Sequence, residues 1–346
     1  MENSIFIKAL NCVPIKETPV WIMRQAGRYL PEYRNLREKE PNFLRFCKNS
    51  SLCCEATLQP LKRYKLDAAI LFSDILNILD AFGFDLKYEK KVGPVITDNI
   101  LSIDRIQKLD HMSAIYKLDY VFSNIKLIKK EMKDLPLIGF AGSPWTVSCY
   151  LVEGYSTKIF GKIRSMLYRD PGLLHHLLKK IAHCTYLYLI RQIEAGADVI
   201  KIFDSWGGIL GKKQFVEFSL NYIKYIVDKI RETHRKVPII VFVKNSGLYV
   251  KEISELKINA IGLDWVSDIS HVKNSLANKS IAIQGNLDPA VLYGSNESIK
   301  SHLYECMQQF KDVKSHIFNL GHGMYPDINP NKLHYLIEEI KNKKVY

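Results

Sequence analysis

Short, nearly continuous apolar runs recur along the chain, separated by longer stretches in which apolar residues return every three or four positions. The runs are TPVWIM (18–23), LDAAILF (66–72), LPLIGFA (135–141), ADVIKIF (197–203), VPIIVFV (237–243), NAIGLDW (259–265), SIAIQG (280–285) and HIFNL (316–320). Unbroken apolar character, rather than alternation, is what parallel strands covered on both faces require. The segments between them predict amphipathic helices, among them 170–194, 212–234 and 330–344. The first opens on Asp170-Pro171, a capping residue followed by proline at the first helical position. Within KYEKKVGPVIT (87–97), Val92-Gly93-Pro94 predicts the turn of an inserted hairpin. Eight buried strands alternating with helices predict an α/β fold, a closed (β/α)8 TIM-type barrel with an N-terminal extension. An open doubly wound sheet would need a glycine-rich phosphate loop after its first strand, and the chain has neither G-x-G-x-x-G nor a Walker sequence. No low-complexity linker divides the chain, so one catalytic domain over 1–346 is expected.

In such barrels the chemistry gathers where the strands end. The first run is followed by Arg24-Gln25-Ala26-Gly27-Arg28. Two guanidiniums there flank small residues, over which a ligand can approach the main-chain N–H groups. Arginine adds bidentate hydrogen bonds to carboxylate or phosphate. Ser73-Asp74 follow the second run, and Gly142-Ser143-Pro144-Trp145 and then Tyr150 the third. Asp204-Ser205-Trp206-Gly207-Gly208 follow the fourth, Lys244-Asn245-Ser246-Gly247 the fifth, and Asp264-Trp265 close the sixth. Gln284-Gly285-Asn286 end the seventh and Gly321-His322-Gly323 the eighth. Each has an ordinary reading by itself: solvated arginines, Asp74 as a helix cap, Ser205 as a turn residue, Tyr150 as a core aromatic, His322 as a loop histidine. The barrel places all of them around one mouth.

Charge changes the picture less than its size suggests. Forty-nine Lys+Arg against 36 Asp+Glu give +13, a field that suits nucleic acid, an acidic membrane or a polycarboxylate substrate. The lysines are scattered over helical segments such as LIKKEMK (127–133), with no basic tail and no basic stripe interleaved with aromatics. An RNA-binding role therefore has only the net charge behind it, and neither nucleic acid nor membrane is an expected partner. Seven cysteines without a C-x-x-C pair fit buried thiols in a reducing compartment. The apolar runs are too short to span a membrane, and Glu2 stands where a signal peptide would be basic, so the chain is expected to be cytoplasmic. H-E-x-x-H, H-x-C and G-x-S-x-G are all missing, so neither a metal site nor a serine triad is expected. What remains is a cofactor-free cavity with an arginine-rich rim and one prominent aspartate.

These residues carry a resemblance. PVWIMRQAGRYLPEYR (19–34), LQPLKRYKLDAAILFSDIL (58–76), GSPWTVSCYLVEG (142–154), IFDSWGG (202–208), GLDW (262–265), QGNLDP (284–289) and NLGHG (319–323) resemble, in order and spacing, the uroporphyrinogen decarboxylase family of haem biosynthesis. The resemblance implies a (β/α)8 homodimer that uses no metal or organic cofactor. It implies loss of four CO2 from the acetate arms of uroporphyrinogen III to give coproporphyrinogen III, a cofactor-independent carboxy-lyase reaction. Carried over by residue, it implies catalytic roles for Asp74, Arg24, Arg28 and Tyr150. It implies tetrapyrrole contacts from Arg24, Gln25, Ala26, Gly27, Arg28, Asp74, Tyr150, Ser205 and His322. Three places depart from the family pattern: Tyr155 stands where a second glycine is common, Asn245 and Ser246 where glycines are common, and Leu79 where proline is. Cobalamin- or thiol-dependent methyltransferases share the fold, but they activate a thiol on zinc through a His/Cys set whose H-x-C sequence is not found here.

Overall fold

The structure is a computed structural model that describes residues 3–89, 92–99, 101–132 and 134–342. Nine strands occur among the described residues: β1 (Ala69–Ile70), β2 (Leu86–Glu89), β3 (Gly93–Ile96), β4 (Leu137–Gly142), β5 (Val199–Asp204), β6 (Ile239–Val243), β7 (Ala260–Gly262), β8 (Ala282–Leu287) and β9 (His316–Leu320). Seven form one parallel sheet in the order β1-β4-β5-β6-β7-β8-β9, with helices between successive strands. The sheet curls until its two edges nearly meet, and residues 19–21 fill the gap. Val20 bridges Phe318 in parallel, and the Phe318 N–H donates to Pro19 O at 2.9 Å. On the other side the Asp67 N–H donates to Val20 O at 2.8 Å, and the Val20 N–H donates to the Asp67 carboxylate at 2.6 Å. The result is a distorted (β/α)8 barrel.

The first predicted strand, 18–23, thus shrinks to a single bridge. One of its partners is a side chain, and the chain turns at once, the Gln25 N–H reaching back to Ile22 O at 2.9 Å. The runs 66–72 and 259–265 shrink to two and three paired residues because their ends serve as loops.

The hairpin β2–β3 is present, but its turn is displaced from the predicted one. Glu89 pairs with Gly93 and Tyr88 with Pro94, so Gly93 and Pro94 open the second strand. The reversal precedes them, and Lys90 and Lys91 lie outside the described residues. Gly93 sits at φ +98°, which explains a glycine at that point. The hairpin is pinned by the Ile96 N–H to Gly154 O bond, 2.7 Å, and by a bridge from Val95 to Tyr155.

The helix Pro171–Glu194 starts as expected, Asp170 accepting the Leu173 N–H at 3.0 Å. Over 212–234 the expected single helix is interrupted by a π-helical turn, Val216–Leu220. There Ser219 is buried and donates to the Asp204 carboxylate, which accounts for the wide turn. The last helix is Pro330–Asn342, and 343–344 lie outside the described residues.

A lysine is enclosed in the barrel core. Lys201 of β5 is fully buried, its ammonium 4.5 Å from the Trp21 ring centroid and near Phe203 and Phe242. It donates to Gln284 Oε1, and burial pushes its pKa well down. Among the described residues no helix is long and apolar enough to cross a membrane.

Candidate active site

Asp74 follows β1 on a segment anchored from behind. The Phe72 N–H donates to Thr57 Oγ1 at 3.1 Å, and the Cys53 thiol donates to Phe72 O at 3.0 Å. Asp74 Oδ1 accepts the Leu76 N–H at 2.8 Å, while the following helix, Asn77–Phe82, begins after Leu76. Asp74 therefore closes a local turn without being the helix cap. Burial raises its pKa, opposed by the nearby Tyr88 hydroxyl, the Leu76 N–H and the charge of Arg24.

Arg24 is held by the loop after β9. The Met23 N–H donates to Asn319 Oδ1 and the Met324 N–H to Met23 O, both at 3.0 Å. Arg24 itself sits at φ +61°, uncommon for arginine. Its side chain crosses Gly323 so closely that a Cβ there would lie 2.3 Å from Arg24 Cδ. The glycine of Gly-His-Gly therefore makes room for the guanidinium. From this position the Arg24 charge partly opposes the rise that burial imposes on the Tyr150 and Asp74 pKa values. It also helps burial to lower His322 to about 4, together with Lys244. His322 is thus neutral at pH 7.

Tyr150 is carried by the helix Pro144–Glu153, which Ser143 caps by accepting the Thr146 N–H. Its ring meets Phe160 and Trp206 edge-on, and burial raises its hydroxyl pKa, to which the Asp74 charge adds. Ser205 is partly buried beside Asp204. Asp204 itself is inaccessible. It accepts Ser143 Oγ at 2.8 Å and Thr146 Oγ1 at 2.6 Å, tying β4 to β5. Asp264 has a similar structural role, accepting Ser267 Oγ and the Asn245 N–H. That bond holds Asn245 at φ +60°, a conformation asparagine tolerates, so this departure from glycine leaves the backbone path open.

The loop between the arginines divides in two. Gln25 is buried, accepts the Ile22 N–H, and receives the Tyr29 hydroxyl on its carbonyl at 2.7 Å. The N–H groups of Ala26, Gly27 and Arg28, by contrast, donate to no protein group among the described residues. A Cβ on Gly27 would meet only ordinary contacts, 3.4 Å from Arg24 O, so packing does not demand the glycine. Arg24 and Arg28 are exposed, and neither has a carboxylate within 4.0 Å among the described residues. Arg28 stands apart from the cluster, its charge acting on Tyr33.

Arg24, Asp74, Tyr150 and His322 are thus brought together, and Arg28 stands at the rim. Lys244 joins them, its ammonium 5.6 Å from the Trp206 ring centroid. Its position just past the fifth apolar run was the available signal. Tyr88 carried no signal, because its place depends on how the hairpin packs. No group of three or more His, Cys, Asp or Glu side chains placed to hold a metal occurs among the described residues.

The model of the family described as uroporphyrinogen decarboxylase (URO-D) matches residues 1–343. The chain belongs to this family. A uroporphyrinogen decarboxylase from Coxiella burnetii (strain Dugway 5J108-111) is 46% identical over 345 residues, covering 99% of this chain and 95% of the relative. One from Legionella pneumophila (strain Lens) is 45% identical over 341 residues, 98% and 97% of the two chains. Among solved structures, a methyltransferase from Methanosarcina mazei superposes with a TM-score of 0.76 over 97% of each chain. At 17% identity that likeness shows a shared fold and nothing of the chemistry.

Proposed function

We propose that this uroporphyrinogen decarboxylase family member removes the four acetate carboxyl groups of uroporphyrinogen III as CO2, giving coproporphyrinogen III in haem and porphyrin biosynthesis. It does so as a single catalytic domain over 1–346, as a cytoplasmic homodimer, with no metal or organic cofactor. The observation that carries this reading is the pairing of one partly buried carboxylate, Asp74, with unpaired guanidiniums and unbonded N–H groups on the facing loop. A tetrapyrrole bearing eight carboxylates needs cations and backbone donors at its rim and an anion at its centre.

The chemistry follows from the substrate. A carbanion beside a pyrrole is too unstable to form freely, so the ring must become the electron sink. A proton added to a ring carbon makes a cationic, azafulvenium-like ring. The bond to the carboxylate breaks, CO2 leaves, and its electron pair returns to the ring. A proton then adds at the freed methylene to make a methyl group, and the ring proton departs. Asp74 stabilises the cation and accepts the pyrrole N–H groups, since a fixed charge acts strongly where water is scarce. Arg24 and Arg28, with the Ala26–Gly27 main chain, hold substrate carboxylates. Gln25 holds that loop in shape from beneath. Tyr150 orients Asp74 or an acetate arm, while Ser205 and neutral His322 bind.

Anaerobic incubation with reduced uroporphyrin III, followed by chromatography of the oxidised products, tests the reading. Tetracarboxylic coproporphyrin III is the expected product. Recovery of unchanged octacarboxylic porphyrin would refute it.

A further inference from the structure

Each carboxylate lost consumes one proton, because a C–C bond is replaced by a C–H bond at the methyl group. Four protons per tetrapyrrole must therefore reach a cavity that substrate itself fills. Arginine holds its proton too tightly to serve as the source, and His322 is neutral.

Around Asp74 lies a concentration of buried polar atoms. The hydroxyls of Tyr88, Tyr120 and Tyr188 and the amide oxygens of Asn77 and Asn124 make no well-aligned hydrogen bond among the described residues, although the Tyr88 hydroxyl interacts with Asp74 and the Tyr188 hydroxyl with Ser73 and Asn77. Asn77, Asn124 and Tyr188 are each at most 2% exposed. They come from four separate elements: the helix after Asp74, the hairpin strand β2, the helix Asp119–Glu131 and the helix Pro171–Glu194. They are nonetheless neighbours. Asn77 Nδ2 donates to Ser73 Oγ at 2.7 Å, and Tyr188 lies beside both Ser73 and Asn77. Tyr120 lies near Tyr188 and Tyr88, and Tyr88 beside Asp74. Asn124 Nδ2 donates to Cys47 O at 2.9 Å, and the Cys47 thiol senses Asp74. At the outer end the Lys48 ammonium lies 5.9 Å from the Tyr120 ring centroid and pairs with Asp80 at 2.7 Å, at the protein surface.

A buried polar group without a partner costs about 1–3 kcal/mol, so five in one patch call for a shared occupant. Donors and acceptors are mixed, as water requires and an anion does not, and buried waters typically use two to four such partners. We propose that Tyr88, Tyr120, Tyr188, Asn77 and Asn124 hold a chain of buried waters that conducts protons from the Lys48–Asp80 surface to the substrate held at Asp74. The proposal rests on the decarboxylase reading above. The tyrosines are positioning residues: they order the waters, and solvent supplies the proton that ends in the product methyl group.

Two measurements test it. In a high-resolution crystal structure, ordered waters should bridge the Tyr88, Tyr120 and Tyr188 hydroxyls; a dry patch overturns the proposal. Steady-state kinetics of Tyr88→Phe, Tyr120→Phe and Tyr188→Phe on uroporphyrinogen III supply the second. Each should lower kcat at least about tenfold with KM within about twofold, and raise the solvent deuterium isotope effect on kcat. Variants with parental kcat and isotope effect, or with KM and melting temperature altered and the isotope effect unchanged, reduce the patch to a structural one and overturn the relay. A parent protein that does not decarboxylate uroporphyrinogen III overturns the relay together with the functional reading, and the crystallographic waters then separate the two failures.

Discussion

At the scale of single residues, position on a strand end was legible and partnership was not. The Arg24 charge acts on Asp74 because β1 and the first segment are neighbours in the closed barrel, which the run pattern implied. That Gly323 rather than Gly27 makes room for an arginine could not be read from spacing, since both look like loop glycines. Lys201 breaks the apolar run of β5, and it lies inside the barrel among aromatic faces. The geometry separates two arginines that sequence treated alike. Arg24→Lys, which loses the planar fork offered to a substrate carboxylate, should cost kcat/KM roughly 10- to 150-fold, the equivalent of about 1.5–3 kcal/mol for a charged hydrogen bond that substrate desolvates. Arg28→Lys should cost less, and kcat/KM of the two variants decides; equal losses would place Arg28 in the cluster as well. Asp74→Asn keeps the oxygen that accepts the Leu76 N–H and removes the charge. Its kcat should fall by at least on the order of 10²–10³ with the melting temperature nearly unchanged. A normally folded variant within a few-fold of the parent would take Asp74 out of the chemistry.

At the scale of elements, the strand positions and the helices Pro171–Glu194 and Pro330–Asn342 followed from the periodicity. Departures arose where tertiary bonds override local pattern. The π turn at Val216–Leu220 exists because Ser219 serves Asp204, a partner far from it along the chain. The same carboxylate makes Gly207 obligatory, since a Cβ there would lie 2.1 Å from Asp204 Oδ2. Gly207→Ala should therefore destabilise the protein by about 2–4 kcal/mol through the buried network joining β4, β5 and the π turn, as measured by denaturant unfolding. A loss below a few tenths would mean the network yields easily. β9 carries a second consequence. His316 at its start and His322 just past its end are both lowered to about 4 by burial, from an ordinary 6.5. Unfolded, both protonate near 6.5, so between pH 6.5 and 4 the unfolded state binds more protons and stability falls as the pH falls. The contribution is present above pH 6.5 and lost by about pH 4. For fully buried His316 it amounts to roughly 3 kcal/mol at most. Thermal melts from pH 7 to 4 should show a shallower slope for His316→Gln than for the parent; parallel curves would exclude a neutral His316.

At the scale of the whole molecule, the sequence implied the barrel, and the structure supplied the means of closure: three residues, one bridge and the Asp67 side chain. Net charge was ambiguous at this scale. A value of +13 fits several anions, and the cations at the barrel mouth, Arg24 and Lys244 acting on His322 and Arg24 on Asp74, give it direction. The central claim is that the polypeptide alone, using the substrate ring as its electron sink, removes four carboxyl groups. It is tested most directly by counting CO2 released per uroporphyrinogen III by exhaustively chelated protein without added cofactor. Four CO2 per tetrapyrrole, released at the untreated rate, are expected. Activity that vanishes on chelation and returns with zinc, or no CO2 from the untreated protein, would contradict it.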